Sequence, residues 1–140
     1  MGMYTHLVLN ANLKEDTPKE VIDTLLYLSY QTEACPIDEA HALYGAKRIR
    51  MVMCGDSYSF DGDTHYNFYF DETAEEWALT INSNIKNYDE EYQKFLEYIC
   101  PYITDDWHDK KFLGFIRHEE AEHPTLIYNT ENGIEYKEIK

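Results

Sequence analysis

Basic residues are scarce in this chain: 12 Lys and Arg stand against 27 Asp and Glu, for a formal net charge of −15. That balance makes approach to nucleic acid or to an anionic membrane costly and favours basic surfaces, so no direct nucleic-acid or membrane contact is expected. Apolar runs are short as well. None nears the roughly 18 residues of a membrane span, and Met1 to Lys14 lacks the basic and apolar regions of a secretion signal. Cysteine is limited to Cys35, Cys54 and Cys100, an odd number without C-x-x-C spacing, which fits reduced thiols in a cytoplasm. The G-x-S-x-G, Walker and Rossmann signatures do not occur, which removes the common serine-hydrolase and nucleotide-binding readings.

Metal motifs fail on spacing. His118-Glu119-Glu120-Ala121-Glu122-His123 sets its histidines five apart, whereas H-E-x-x-H needs four to bring both onto one helical face. Asp61-Gly62 does not open an EF-hand loop, because the twelfth position would be Phe68 instead of a bidentate acid. Asp105-Asp106-Trp107-His108-Asp109 carries oxygen and imidazole donors but reads as a solvated loop. No metal or cofactor is expected, and the chain is read as a non-enzyme.

What is present is a globular pattern. Hydrophobic residues make up 44% of the chain and 13 are tyrosines, which sets it apart from a disordered tail. A single domain spanning residues 1–140 is expected. Thr5 to Lys14 alternates, with Leu7, Leu9, Ala11 and Leu13 on one face, the signature of a half-buried strand. Thr17-Pro18-Lys19-Glu20 then offers an N-cap hydroxyl, a first-turn proline and a capping-box glutamate for a helix near 17–30, with Ile22, Leu25, Leu26 and Ser29 inward and Val21 and Leu28 widening that face. Asp38 to Tyr44 suggests a helical turn ended by Gly45, and Arg48 to Cys54 a strand with Ile49, Met51 and Met53 inward. Tyr58 to Phe60, turning at Asp61-Gly62-Asp63 into His65 to Phe70, predicts a hairpin. Trp77 to Ile85 alternates again. Asn87 to Glu90 caps a second helix near 87–100 with Tyr92, Phe95, Leu96 and Ile99 inward, and strands follow at Phe112–Glu119, Thr125–Asn129 and Ile134–Ile139.

The halves resemble one another: Leu9-Asn10-Ala11-Asn12-Leu13-Lys14 matches Ile81-Asn82-Ser83-Asn84-Ile85-Lys86, each before a helix of similar spacing. The expected class is therefore α+β, an antiparallel-rich sheet of six or seven strands with two helices on one face, and a candidate duplication of a β-α-β-β unit. The other face, with His6, Asn10, Asn12, Arg48, Arg50 and tyrosines, is left for solvent or contact. Acids cluster at Asp71, Glu72, Glu75 and Glu76, at Asp89 to Glu91, at Asp105, Asp106 and Asp109, and at Glu119, Glu120 and Glu122. Aligned into a stripe, they would imitate a phosphate backbone.

Asn84-Ile85-Lys86-Asn87-Tyr88-Asp89, Phe95-Leu96-Glu97, Phe112 to Glu120 and Pro124-Thr125-Leu126-Ile127-Tyr128 resemble segments of small uncharacterised phage and prophage proteins. The resemblance covers mainly residues 77–129 and departs at His118, Ala121 and His123. It implies a viral accessory protein working in a bacterial cytoplasm. Joined to the charge, it gives the expectation of an inhibitor that binds a basic host protein, such as a nucleic-acid-binding enzyme of CRISPR or restriction defence. Contact is expected through Asp71, Glu72, Glu75, Glu76, Asp105, Asp106 and Asp109. The competing expectation is a self-associating or ligand-sequestering protein, suggested by the aromatic strands Tyr66 to Phe70 and Leu126 to Tyr128.

Overall fold

Alternation along β1 (Thr5–Leu13) decides how the chain is layered. Leu7, Leu9, Ala11 and Leu13 are buried, while His6, Val8, Asn10 and Asn12 look the other way. The computed structural model describes residues 3–60, 62, 64–104 and 110–139. Around β1 it places α1 (Lys19–Leu28), β2 (His65–Asp71), β3 (Glu76–Ile85), α2 (Glu91–Ile99), β4 (Lys110–His118), β5 (Thr125–Thr130) and β6 (Gly133–Glu138). The six strands form one open antiparallel sheet in the order β2-β3-β1-β4-β5-β6. The α+β class, two helices and antiparallel sheet are those expected. Both helices deliver their apolar residues to one core with the inward residues of β1 and β3, so both lie on the same face. Each fully buried Leu25, Leu28, Phe95, Leu96 or Ile99 contributes about 1.5–3 kcal/mol there.

The first four strands and two helices have the connectivity of a double split β-α-β, or ferredoxin-like, domain, which β5 and β6 extend. Leu9 pairs with Ile81, Leu7 with Ser83 and Ala11 with Leu79. Of these pairs only Leu9 and Ile81 are also equivalent in the internal repeat, so a pseudo-twofold axis passes between Leu9 and Ile81. The repeated unit is β-α-β, because Arg48–Cys54 is not a strand. That segment holds a 3-10 turn at Ile49–Met51, and its buried residues, Ile49, Val52 and Met53, follow helical spacing while Met51 is exposed. Tyr58–Phe60 forms no strand either, and β2 pairs with β3 alone. In α1 the buried set is Val21, Ile22, Thr24, Leu25 and Leu28, so Val21 and Leu28, expected at the border of the apolar face, lie well inside it, and Leu26 is half-buried.

Helix ends explain the other differences. Thr17 does not cap α1; its hydroxyl donates to the Lys14 carbonyl at 2.5 Å. The helix stops two residues short of Tyr30 in a Schellman arrangement, with Gln31 N–H donating to Leu26 O and Tyr30 N–H to Tyr27 O. Tyr30, in place of the usual glycine, takes φ 63°. Its ring lies 3.7 Å from the Arg50 guanidinium carbon, and Tyr27 lies 3.7 Å from the same atom, so stacking offsets the strain. Gln31 Nε2 then donates to Phe68 O (2.6 Å), covering the middle of edge strand β2. Asn87 does serve α2: its Oδ1 accepts from Tyr92 N–H at 2.9 Å.

The irregular connection at residues 29–64 is tied down by polar contacts. Glu91, fully buried, accepts hydrogen bonds from Arg48 N–H (3.0 Å) and Asp89 N–H (3.1 Å), with the Arg48 guanidinium at 3.9 Å. Ser83 Oγ donates to Val52 O (2.6 Å) and accepts from Tyr92 OH (2.7 Å). His41 Nδ1 accepts from Leu43 N–H (3.0 Å), which leaves Nε2–H to donate to Thr24 Oγ1 (2.9 Å). At β4, a bulge at Phe112/Gly114 brings Gly114 (φ 154°) so near Val8 O that a Cβ would sit 1.9 Å away, which only glycine accommodates.

Replacing Glu91 by Ala should cost about 3 kcal/mol in urea unfolding, because two buried N–H groups lose a charged acceptor. Glu91→Gln, keeping one acceptor oxygen, should cost less. A second expectation concerns alkali. Burial pushes the phenol of the fully buried Tyr92 well above its usual 10.0, and desolvation raises Tyr98 and the part-exposed Tyr136 as well. The folded state thus favours neutral phenols. Stability should be full below the unfolded tyrosine value and fall as pH rises from there through the folded values. Absorbance titration of the phenols should show a class that ionises only as the fold is lost; a single transition at the free-tyrosine value would contradict this.

Candidate functional site

Strand direction sorts the loops into two ends of the sheet. One end carries the β1–α1 connection, the β2–β3 turn, the start of β4 and the β5–β6 turn. The opposite end carries Tyr4, the β3–α2 connection and the β4–β5 turn. At about 3.3 Å per residue, the nine residues of β1 separate these ends by roughly 30 Å. The expected single acidic stripe is therefore divided. Asp71, Glu72, Glu75 and Glu76 lie at the first end; Asp89 to Glu91 and Glu119, Glu120 and Glu122 lie at the second. Asp105, Asp106 and Asp109 lie outside the described residues, although their neighbours Thr104 and Lys110 are at the first end, where Thr104 N–H donates to Asn12 O and Lys110 pairs with Thr130.

At the first end the four predicted acids play different parts. Asp71 pairs with Glu76 across the ladder, and its Oδ1 accepts from Thr73 N–H (3.0 Å) and Ala74 N–H (3.2 Å), closing the turn. Glu76 Oε1 accepts from Asn12 Nδ2 at 3.3 Å. Of these four only Glu72 and Glu75 are exposed, and Glu75 holds φ 57°. Topology adds three exposed acids that sequence reading had not grouped with them: Glu15 and Asp16 before α1, and Glu131 in the β5–β6 turn. Connectivity alone brings these together, so no local motif could have flagged them. Lys14, Lys110 and Lys111 belong to the same end, and Lys111 Nζ is engaged by Thr104 O (3.2 Å) and Oγ1 (3.1 Å).

At the second end several acids hold backbone. Asp89 Oδ2 accepts from Lys47 N–H (3.3 Å), and Glu119 Oε1 accepts from Tyr4 N–H (2.7 Å). His118 Nδ1 accepts from Glu120 N–H at 3.2 Å, within its own turn. Among the described residues no three His, Cys, Asp or Glu side chains are placed to hold a metal ion.

The open face of the sheet carries His6, Asn10 and Asn12, as expected, and beside them Asn67, Thr80 and Asn82. Arg48 and Arg50 are not on it. They belong to the 29–64 connection, Arg48 against Glu91 and Arg50 between two tyrosines. No family model, curated protein or solved structure matches the chain. Among the described residues no helix is long and apolar enough to cross a membrane.

Asp71 and Glu75 should respond oppositely to substitution. Asp71→Ala should lower stability by about 1 kcal/mol through loss of the turn's side-chain acceptor. Glu75→Gly should raise it by up to about 1 kcal/mol, since glycine accepts a positive φ without strain. Thermal melts of the two variants check both signs.

Proposed function

We propose that this is a non-catalytic binding protein of phage-accessory type, which inhibits a basic host protein by occupying its nucleic-acid-binding surface with the acidic end of the sheet. The observation that supports the reading is the convergence of exposed Glu15, Asp16, Glu72, Glu75 and Glu131 from three separate connections on one end of a chain of net charge −15. Such a surface steers a basic partner by its long-range field. Each exposed pair contributes under about 1 kcal/mol, so the effect is collective. The host partner belongs to the class that must hold nucleic acid, such as a CRISPR or restriction enzyme, because those surfaces are built to receive closely spaced negative charge.

The test is capture of the partner from a bacterial host lysate, followed by association kinetics with a variant carrying Glu15→Gln, Asp16→Asn, Glu72→Gln, Glu75→Gln and Glu131→Gln. Asp71 and Glu76 are left in place because each holds the hairpin. Slower association and a flatter salt dependence are expected, with the fold unchanged. Equal binding by the variant at low and high salt would overturn the reading.

A further inference from the structure

Toward the second end of the open face, β1, β4, the β4–β5 turn and Phe60 border an open hollow of about 480 Å³ lined by His6, Phe60, Phe115, Arg117, Glu122 and Pro124. Its size is within the range of small-molecule sites. The floor is aromatic and fixed. His6 Nε2 meets Asn82 Oδ1 at 2.7 Å, and its ring lies 4.8 Å from Phe60 and 5.7 Å from Phe115 between centroids. With Asn82 Oδ1 accepting, Nε2 carries the proton and Nδ1 is left as an acceptor.

Two opposite charges stand on the rim without meeting. Arg117 is positioned by Nε–H donation to Ala121 O (3.2 Å) and by its Cζ lying 5.8 Å from the Phe60 centroid. Its terminal N–H groups have no acceptor among the described residues, in a chain with 27 acids. Glu122 is exposed and forms no ion pair with Arg117, although both line the same hollow. A guanidinium fork matches a carboxylate, a carboxylate matches an ammonium, and the rings that share the lining match a planar apolar group. A dianion such as a phosphate ester would meet the repulsion of a −15 protein, whereas a neutral dipolar molecule does not.

We infer that this hollow binds a free aromatic α-amino acid, its carboxylate on Arg117, its ammonium on Glu122 and its ring against Phe60 and Phe115. The site is separate from the acidic end, and its occupancy does not depend on any protein partner.

Amide-resolved NMR titration with L-phenylalanine tests it, alongside phenylpropionate, which lacks the ammonium, phenethylamine, which lacks the carboxylate, and L-alanine, which lacks the ring. Saturable shifts at residues 6, 115, 117 and 122 are expected with phenylalanine, and at least tenfold weaker binding for each of the other three. Arg117→Gln should abolish binding of phenylalanine. Glu122→Gln, an exposed change that leaves the fold untouched, should erase the preference for phenylalanine over phenylpropionate. No saturable shift at millimolar phenylalanine, equal binding of phenylpropionate by the unaltered protein, or an unchanged preference in Glu122→Gln would each overturn the assignment.

Discussion

A carboxylate with no access to water organises the middle of this molecule. Glu91 enters the core in the first turn of α2, where the helix N-terminus favours negative charge, and it stays ionically satisfied only because Arg48 and Asp89 turn their N–H groups toward it. Among its described residues the connection at residues 29–64 has no strand and little helix of its own, so its shape comes from such anchors. Ser83, Tyr92 and Thr24 act in the same way, each offering a side-chain group where a regular ladder would have supplied a backbone one. The second β-α-β unit, with α1 adding Thr24, thereby acts as the template on which the irregular connection is set.

That dependence explains what could be read in advance. β1, β3 and the helices were legible because alternation and helical spacing are local consequences of a half-buried position, and even the axis at Leu9 and Ile81 was present as a repeated sextet. The segment Arg48–Cys54 was not legible. Ile49, Met51 and Met53 alternate like a strand, but Ile49, Val52 and Met53 satisfy a tight turn equally well, and only Glu91 and Ser83, distant in sequence, decide between them. Thr17 misled for a related reason: its hydroxyl had a nearer acceptor in Lys14 O than the helix could offer as a donor.

The candidate sites divide along the same line. Clusters contiguous in sequence were visible as acids, yet their sorting to opposite ends of the sheet follows from strand direction, which no short window contains. Asp71 and Glu76 show how an acidic cluster loses members to structure: a carboxylate that closes a turn or receives an amide is already committed. Arg117 and Phe115 went unnoticed for the converse reason. They alternate with buried Ile116 and Gly114 on β4, and their meeting with Phe60 and His6 depends on the neighbouring strand and on the returning connection.

Tyr4 and Glu138 lie at the same end of the sheet, Tyr4 bonded to Glu119 and Glu138 paired with Thr125, some 30 Å from the acidic turns by the length of β1. A probe attached at Tyr4 or at Glu138 therefore leaves from the end of the sheet opposite Glu72, Glu75 and Glu131. Those three acids stay unobstructed when the molecule is held through either of these positions.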